Sequence, residues 1–253
     1  VRRSSGSADP DGGRDGGPRR PRSTTGACGS SDEPTPTPTP VDLGPAVTAP
    51  GTPSAGPIAD AATLQAALPA ATDLPAGYAR LPAIPDLGAQ SDTDPGTDRS
   101  MTNPTHCANV ADTVARQVPG AVASAEENFT GPGFTSIDVD AAAYAGTGAA
   151  DAFAAIQDTL RECTTFTGTD ADGTSVQYRV EPLPQPTVGD ASTSIRLTTT
   201  SGGFTLVSDV VLAVVDSTVV QVIATGPDGT DGSVATDVAR TTADRVHAAA
   251  LAR

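Results

Sequence analysis

Phe204-Thr-Leu-Val-Ser-Asp-Val-Val-Leu-Ala-Val-Val215, Asp216-Ser217, then Thr218-Val-Val-Gln-Val-Ile-Ala-Thr225 is the stretch that decides the fold. Two β-branched runs meet at a two-residue polar joint, the pattern of a β-hairpin. The unbroken apolar run Val210–Val215 calls for burial on both faces, so this strand belongs at the centre of a sheet. Working outward, Ser194–Thr200 and Val176–Val180 read as further strands. Gly148–Cys163 is the clearest helix: Phe153, Ile156, Leu160 and Cys163 recur at spacings of three, four and three, one face of a 3.6-residue period. Phe134–Tyr144 alternates as a strand with Ile137 and Val139 on one face. Ala121–Asn128 fits either a helix or a strand. Pro104 at a first turn starts a helix that runs to about Gln117 before Pro119-Gly120. Ala59–Ala67 is a short helix, residues 85–103 form a long polar loop, and Thr225–Gly232 is a turn-rich loop. Val234, Val238, Thr242 and Val246 mark a closing helix over Val234–Ala250. Strands segregated from helices predict an α+β fold, with a mainly antiparallel central sheet and helices packed on it.

Composition narrows the function. The sequence has no Lys, no Trp and eight aromatic residues, five Phe and three Tyr. A core of Val, Ala, Ile and Leu is implied, and a large aromatic ligand cage is not supported. The Ala, Gly, Thr and Asp excess is the usage of a high-GC genome, such as an actinobacterial one. Residues 1–27 carry six Arg against three acids, a net of +3; residues 28–253 carry nine Arg against 27 acids, a net of −18. So anionic a body repels phosphate backbones and anionic lipid surfaces, which argues against nucleic-acid partners.

Three segments follow. Residues 58–253 suffice for one sizeable core. Residues 1–57 are dominated by Gly, Pro, Ser, Thr, Arg and Asp and bury too little to offset their ordering entropy. Within them, Thr25-Gly-Ala-Cys28-Gly-Ser-Ser-Asp32 resembles a bacterial lipoprotein cleavage site, whose Cys becomes the lipidated N-terminus. The usual Leu three positions before the Cys is here Thr25. Residues 28–57, with Pro34-Thr-Pro-Thr-Pro-Thr-Pro40, then read as a Pro/Thr-rich tether, reaching roughly 90 Å as polyproline II or about 30 Å as a coil. Residues 1–27 read as a disordered stretch without the apolar core of a signal peptide, as from a misassigned start or frame. A polar tail with an incidental Cys28 is the alternative.

With Cys28 set aside, Cys107 and Cys163 remain. An even pair in an exported domain reads as a disulfide; two buried free thiols are the alternative. The bridge closes a loop of about 57 residues, worth roughly 4 kcal/mol in the chain-entropy description. Zinc is not expected, since there is no CxxC and the only histidines are His106 and His247.

Tyr144-Ala-Gly-Thr-Gly-Ala-Ala-Asp-Ala-Phe153, Arg161-Glu-Cys163-Thr-Thr-Phe166, Gly189-Asp-Ala-Ser192, the two long strands and the final helix resemble the extracellular sensor domains of mycobacterial receptor kinases of the PknH type. The actinobacterial lipoproteins that share this domain often carry an early motif like Leu68-Pro…Asp73-Leu-Pro-Ala-Gly-Tyr78. The resemblance spans roughly residues 58–250. It implies an α+β domain with a central antiparallel sheet and a cleft for a ligand. The kinase sensors hold two disulfides, whereas one pair is present here, and no kinase accompanies the domain.

Catalytic motifs are absent: no GxSxG elbow, HExxH or GxxxxGK[ST]. His106 and His247 lie far apart, and His247 near a helix end suits the dipole. Acidic pairs recur at Glu126/Glu127, Asp138/Asp140, Asp170/Asp172 and Asp228/Asp231. Asp138 and Asp140 share a strand face, a geometry also used by glycosidases and metal sites, although a solvated face is the ordinary reading. Asp170-Ala-Asp172-Gly173 echoes part of a calcium loop, but Arg179 stands where the bidentate Glu is needed, so an Asp-Gly turn is expected. The expectation is a non-enzymatic, cofactor-free monomer. It is held by lipid on the extracellular face of the cytoplasmic membrane and binds a small ligand or a cell-envelope component. A structural or protein-interaction module is the alternative.

Overall fold

The computed structural model describes residues 41–82 and 100–252; Cys28 and most of the predicted 85–103 loop lie outside them. The helices are α1 (Ala61–Ala67), α2 (Val114–Gln117), α3 (Gly148–Glu162) and α4 (Val234–Leu251). The strands are β1 (Ala79–Arg80), β2 (Met101–Asn103), β3 (Ala123–Thr130), β4 (Ser136–Ala143), β5 (Thr165–Thr169), β6 (Ser175–Pro182), β7 (Ala191–Ser201), β8 (Phe204–Val215) and β9 (Thr218–Gly226). Among the described residues they form one antiparallel sheet in the order β1-β3-β4-β9-β8-β7-β6-β5-β2. The α+β class is as expected, and β8 takes the central place its apolar run demands.

Alternation along the central strands feeds two cores. Ile137 and Val139 of β4, Val211 and Ala213 of β8, and Val220 and Val222 of β9 point to one face and are covered by α1 and α4. Ala142, Leu212, Val214 and Val219 point to the other and meet Phe153, Ile156 and Leu160 of α3. The α3 stripe is the one its spacing predicted, and Cys163 closes the helix as its C-cap. At the β8–β9 joint Asp216 takes φ +53°, a left-handed conformation that Asp tolerates better than bulkier residues.

The structure breaks one expected helix, resolves one ambiguous segment and places residues 41–57. The helix expected over 104–117 is broken: Thr105–Ala111 is a 3-10 helix, and α2 begins afresh after Thr113. The break serves a tertiary bond, because the Val114 N–H donates to the Asp140 carboxylate at 2.7 Å. The ambiguous segment is strand β3, with Ala123, Ala125, Glu127 and Phe129 buried in alternation. Residues 41–57 lack regular secondary structure, yet they lie against the domain. The Gln157 carboxamide grips Val47, accepting from its N–H and donating to its carbonyl, both at 2.9 Å. The Val41 N–H reaches Thr164 Oγ1 at 3.4 Å, and Ser217 Oγ donates to the Ala55 carbonyl at 2.7 Å. Leu43 and Ala49 pack on the α3-side core and Ala55 on the other.

Candidate functional site

The two-residue period of β3, β4, β9 and β8 places Glu126 and Asn128, Asp138 and Asp140, Gln221 and Ile223, Thr225, and Ser208 on the α2–α3 face of the sheet. The pairings Glu126–Asp140–Gln221 and Asn128–Asp138–Ile223 set them in two adjacent rows. α3 covers this face toward the β8–β9 turn. Farther along the strands the polar rows are left open, with Thr113 and Arg116 at the rim. The resulting groove has a volume of about 340 Å³. A recess of about 210 Å³ shares Thr113, Glu126 and Asp140 with it. A wider depression of about 740 Å³ lies at the β2 edge, against Met101, Asp170 and Tyr178.

Asp140 is the best-held side chain of the groove. It is 7% exposed; one oxygen accepts from Val114 N–H and the other from Gln221 Nε2 at 3.1 Å. Gln221 also donates to the Asp112 carbonyl, and its own Oε1 accepts from Gln117. Burial pushes the Asp140 carboxyl up to about 7, against the pull of its two hydrogen bonds. Asp138, bonded to Ser136 Oγ at 3.2 Å, is raised in the same direction by burial. Tyr144 Oη donates to the Val118 carbonyl, and burial lifts its pKa to about 12. Glu126 faces Asp140 directly across the strands, a like-charge arrangement that costs stability. Arg116 is engaged by Asp112 at 3.4 Å.

The remaining acids separate by environment. Glu127 points to the opposite face, where Arg80 and Gln65 bind it. Asp170 makes an ordinary turn, its carboxylate accepting from the N–H groups of Asp172 and Thr174; the calcium-loop echo is a hairpin turn with Gly173 at φ +84°. Asp228 and Asp231 lie in the loop before α4, where Asp231 accepts from Ser233. His247 Nδ1 lies 2.7 Å from Asp216, which holds the imidazole pKa above its usual value and ties α4 to the β8–β9 turn. Cys107 and Cys163 form a disulfide with Cα atoms 5.6 Å apart. Among the described residues one group has metal-ligating atoms within mutual reach: His106, Cys107 and Cys163, within 4.8 Å. In the oxidised protein its sulfurs are bonded to each other.

Sequence reasoning paired Asp138 with Asp140 on one strand face, but it missed Gln221, Asn128, Ser208 and Thr225. Gln221 had a signal: it is the lone amide in an otherwise apolar run, and such a residue at a strand centre needs a buried partner.

The extracellular domain of PknH from Mycobacterium tuberculosis superposes with a TM-score of 0.55, covering 79% of this chain and 100% of that one at 14% identity. The chain has the fold of that domain. The Rv0999 ortholog from Mycobacterium smegmatis matches with a TM-score of 0.32 and 20% identity over 60% of this chain and 76% of its own, too loose a superposition to argue from. No protein-family model matches the sequence, and no curated protein does. No described helix is long and apolar enough to cross a membrane.

Proposed function

We propose that this chain is a cell-surface lipoprotein whose sensor-like, non-catalytic domain binds a small polar ligand or envelope component in the groove beside β4. The observation that carries this reading is Asp140: a buried carboxylate fixed by a backbone N–H and by Gln221, at the floor of an open polar groove. Buried polar groups held in place and converging on a concavity are what a specific ligand site requires. The shared fold with an extracellular domain supports the extracellular placement. In this reading Cys28 carries the lipid and residues 28–40 span to the domain, with 41–57 laid along it. The tether between Cys28 and Val41 then reaches roughly 40 Å if fully polyproline-like.

Native mass spectrometry of the protein extracted from its own envelope tests both parts. The expected spectrum shows a diacylglycerol-type mass on a chain beginning at Cys28, and a small molecule retained by the wild type and lost from the Gln221→Ala variant. An unlipidated chain that begins upstream of Cys28 refutes the anchor. Identical bare spectra from wild type and variant refute the groove.

A protein-interaction module is a second reading, favoured by one observation. Phe134, in the 3-10 turn between β3 and β4, is 91% exposed, and Phe204, the first residue of β8, is 83% exposed at the same end of the sheet. A pull-down from solubilised envelope that loses a stoichiometric protein partner on Phe134→Ser/Phe204→Ser substitution supports it over the ligand reading.

A further inference from the structure

His106 and Glu162 are each the residue immediately before a disulfide cysteine. The 3-10 helix Thr105–Ala111 and the end of α3 bring them together over the bridge: His106 Nε2 lies 3.5 Å from Glu162 Oε2. Both are more than half exposed, while Cys107 and Cys163 beneath them are buried. A pocket of about 70 Å³ lined by His106, Asn109, Gln117 and Thr159 opens beside the imidazole. The ligating atoms of His106, Cys107 and Cys163 all lie within 4.8 Å of one another.

We propose that this junction is a redox-gated zinc site: a structural disulfide when oxidised, and a Cys107–Cys163–His106 zinc centre when a dithiol opens the bridge. The first step is thiol–disulfide exchange. A thiolate of the dithiol attacks one Sγ, the Sγ–Sγ bond breaks, and the reductant leaves as its own cyclic disulfide. Its two electrons and two protons end on Cys107 and Cys163 as thiols. Zinc then displaces those two protons as it binds.

The geometry supports each part. Two thiols buried in apolar surroundings resist ionising by themselves. A divalent cation changes that balance, because two thiolates and Zn²⁺ sum to zero charge in the buried site. Glu162 faces Nε2 of His106, which leaves Nδ1 for the metal and makes a carboxylate–histidine–metal relay. Two sulfurs and one imidazole nitrogen are ligands zinc prefers, and water completes the tetrahedron. His106 stands at the surface above the sulfurs and gives the ion its route in.

The test uses the full chain carrying Cys28→Ala, so that only the two bridge thiols respond. The protein is reduced with a phosphine, which binds zinc weakly, and titrated with cobalt and with zinc. The expected result is one metal per reduced chain and none per oxidised chain, thiolate-to-cobalt charge-transfer absorption, and release of two protons. His106→Ala weakens binding at least tenfold, and Glu162→Gln by about tenfold. If reduction unfolds the chain, zinc restores the native circular dichroism of the wild type at concentrations that leave His106→Ala unfolded. Absence of stoichiometric metal in the reduced chain, failure of zinc to restore the fold, or unchanged affinity in His106→Ala each overturns the proposal.

Discussion

Asp140 concentrates the electrostatic tension of the domain. Its folded pKa of about 7 lies well above its ordinary value of 3.8, so between those values the folded chain holds a proton that the unfolded chain has released. Stability from this group is therefore fully present below about pH 4 and is lost as pH rises through about 7. Thermal melts from pH 5 to 8 should show wild-type stability falling with pH more steeply than that of Asp140→Asn; parallel curves would mean that Asp140 ionises freely. Asp209 solves the same problem by pairing. It is fully buried on β8, and Arg196 on neighbouring β7 grips it with Nε at 2.7 Å and a terminal nitrogen at 3.0 Å. Arg196→Ala leaves a buried carboxylate without its cation and should cost about 3–5 kcal/mol in denaturant unfolding. Gly189 is constrained by its conformation and its neighbours. It sits at φ +62°, and a Cβ there would strike the Val214 carbonyl.

At the scale of elements, the strap of residues 41–57 shows how a side chain substitutes for a strand. The Gln157 carboxamide satisfies both backbone groups of Val47, as a neighbouring strand would. Gln157 is itself buried on α3, so strap and helix depend on each other for their hydrogen bonds. Gln157→Leu removes both bonds while keeping the volume. The expected outcome is a loss of about 1–2 kcal/mol and faster proteolysis within 41–57, with the sheet intact by circular dichroism. Unchanged proteolysis would show that Leu43, Ala49 and Ala55 hold the strap without Gln157. The broken helix at 112–113 follows the same logic: local propensity favoured continuity, but Asp140 needed the Val114 N–H, and helix starts leave such donors free.

At the largest scale, the described residues form one sheet between two helical layers, fastened at one side by the disulfide. Cys107→Ala/Cys163→Ala should lower the unfolding free energy by roughly 4 kcal/mol, measured without metal. A loss below about 1 kcal/mol would show that the 3-10 segment packs on α3 without its covalent tie. β2 and β5 went unread as strands, but the antiparallel class, the central place of β8 and the buried stripe of α3 were legible in the sequence. Each rests on a periodicity that neighbouring residues declare, because the burial of a face repeats every two or 3.6 positions. The pairing of Asp138 with Asp140 on one face was legible for the same reason. The company Asp140 keeps was not: Glu126 and Gln221 stand opposite it only through strand register, and Val114 reaches it only because a helix breaks. The docked strap was hidden because its Pro, Gly, Thr and Ala residues carry no period, and its partners Gln157 and Ser217 lie more than a hundred residues away. The sequence by itself therefore determined the strongly periodic segments, β7 to β9, α3 and α4, and the faces they bury. The tertiary structure alone decided the groove, the strap and the His106–Glu162 cap, because these are contacts between distant segments that no local period encodes.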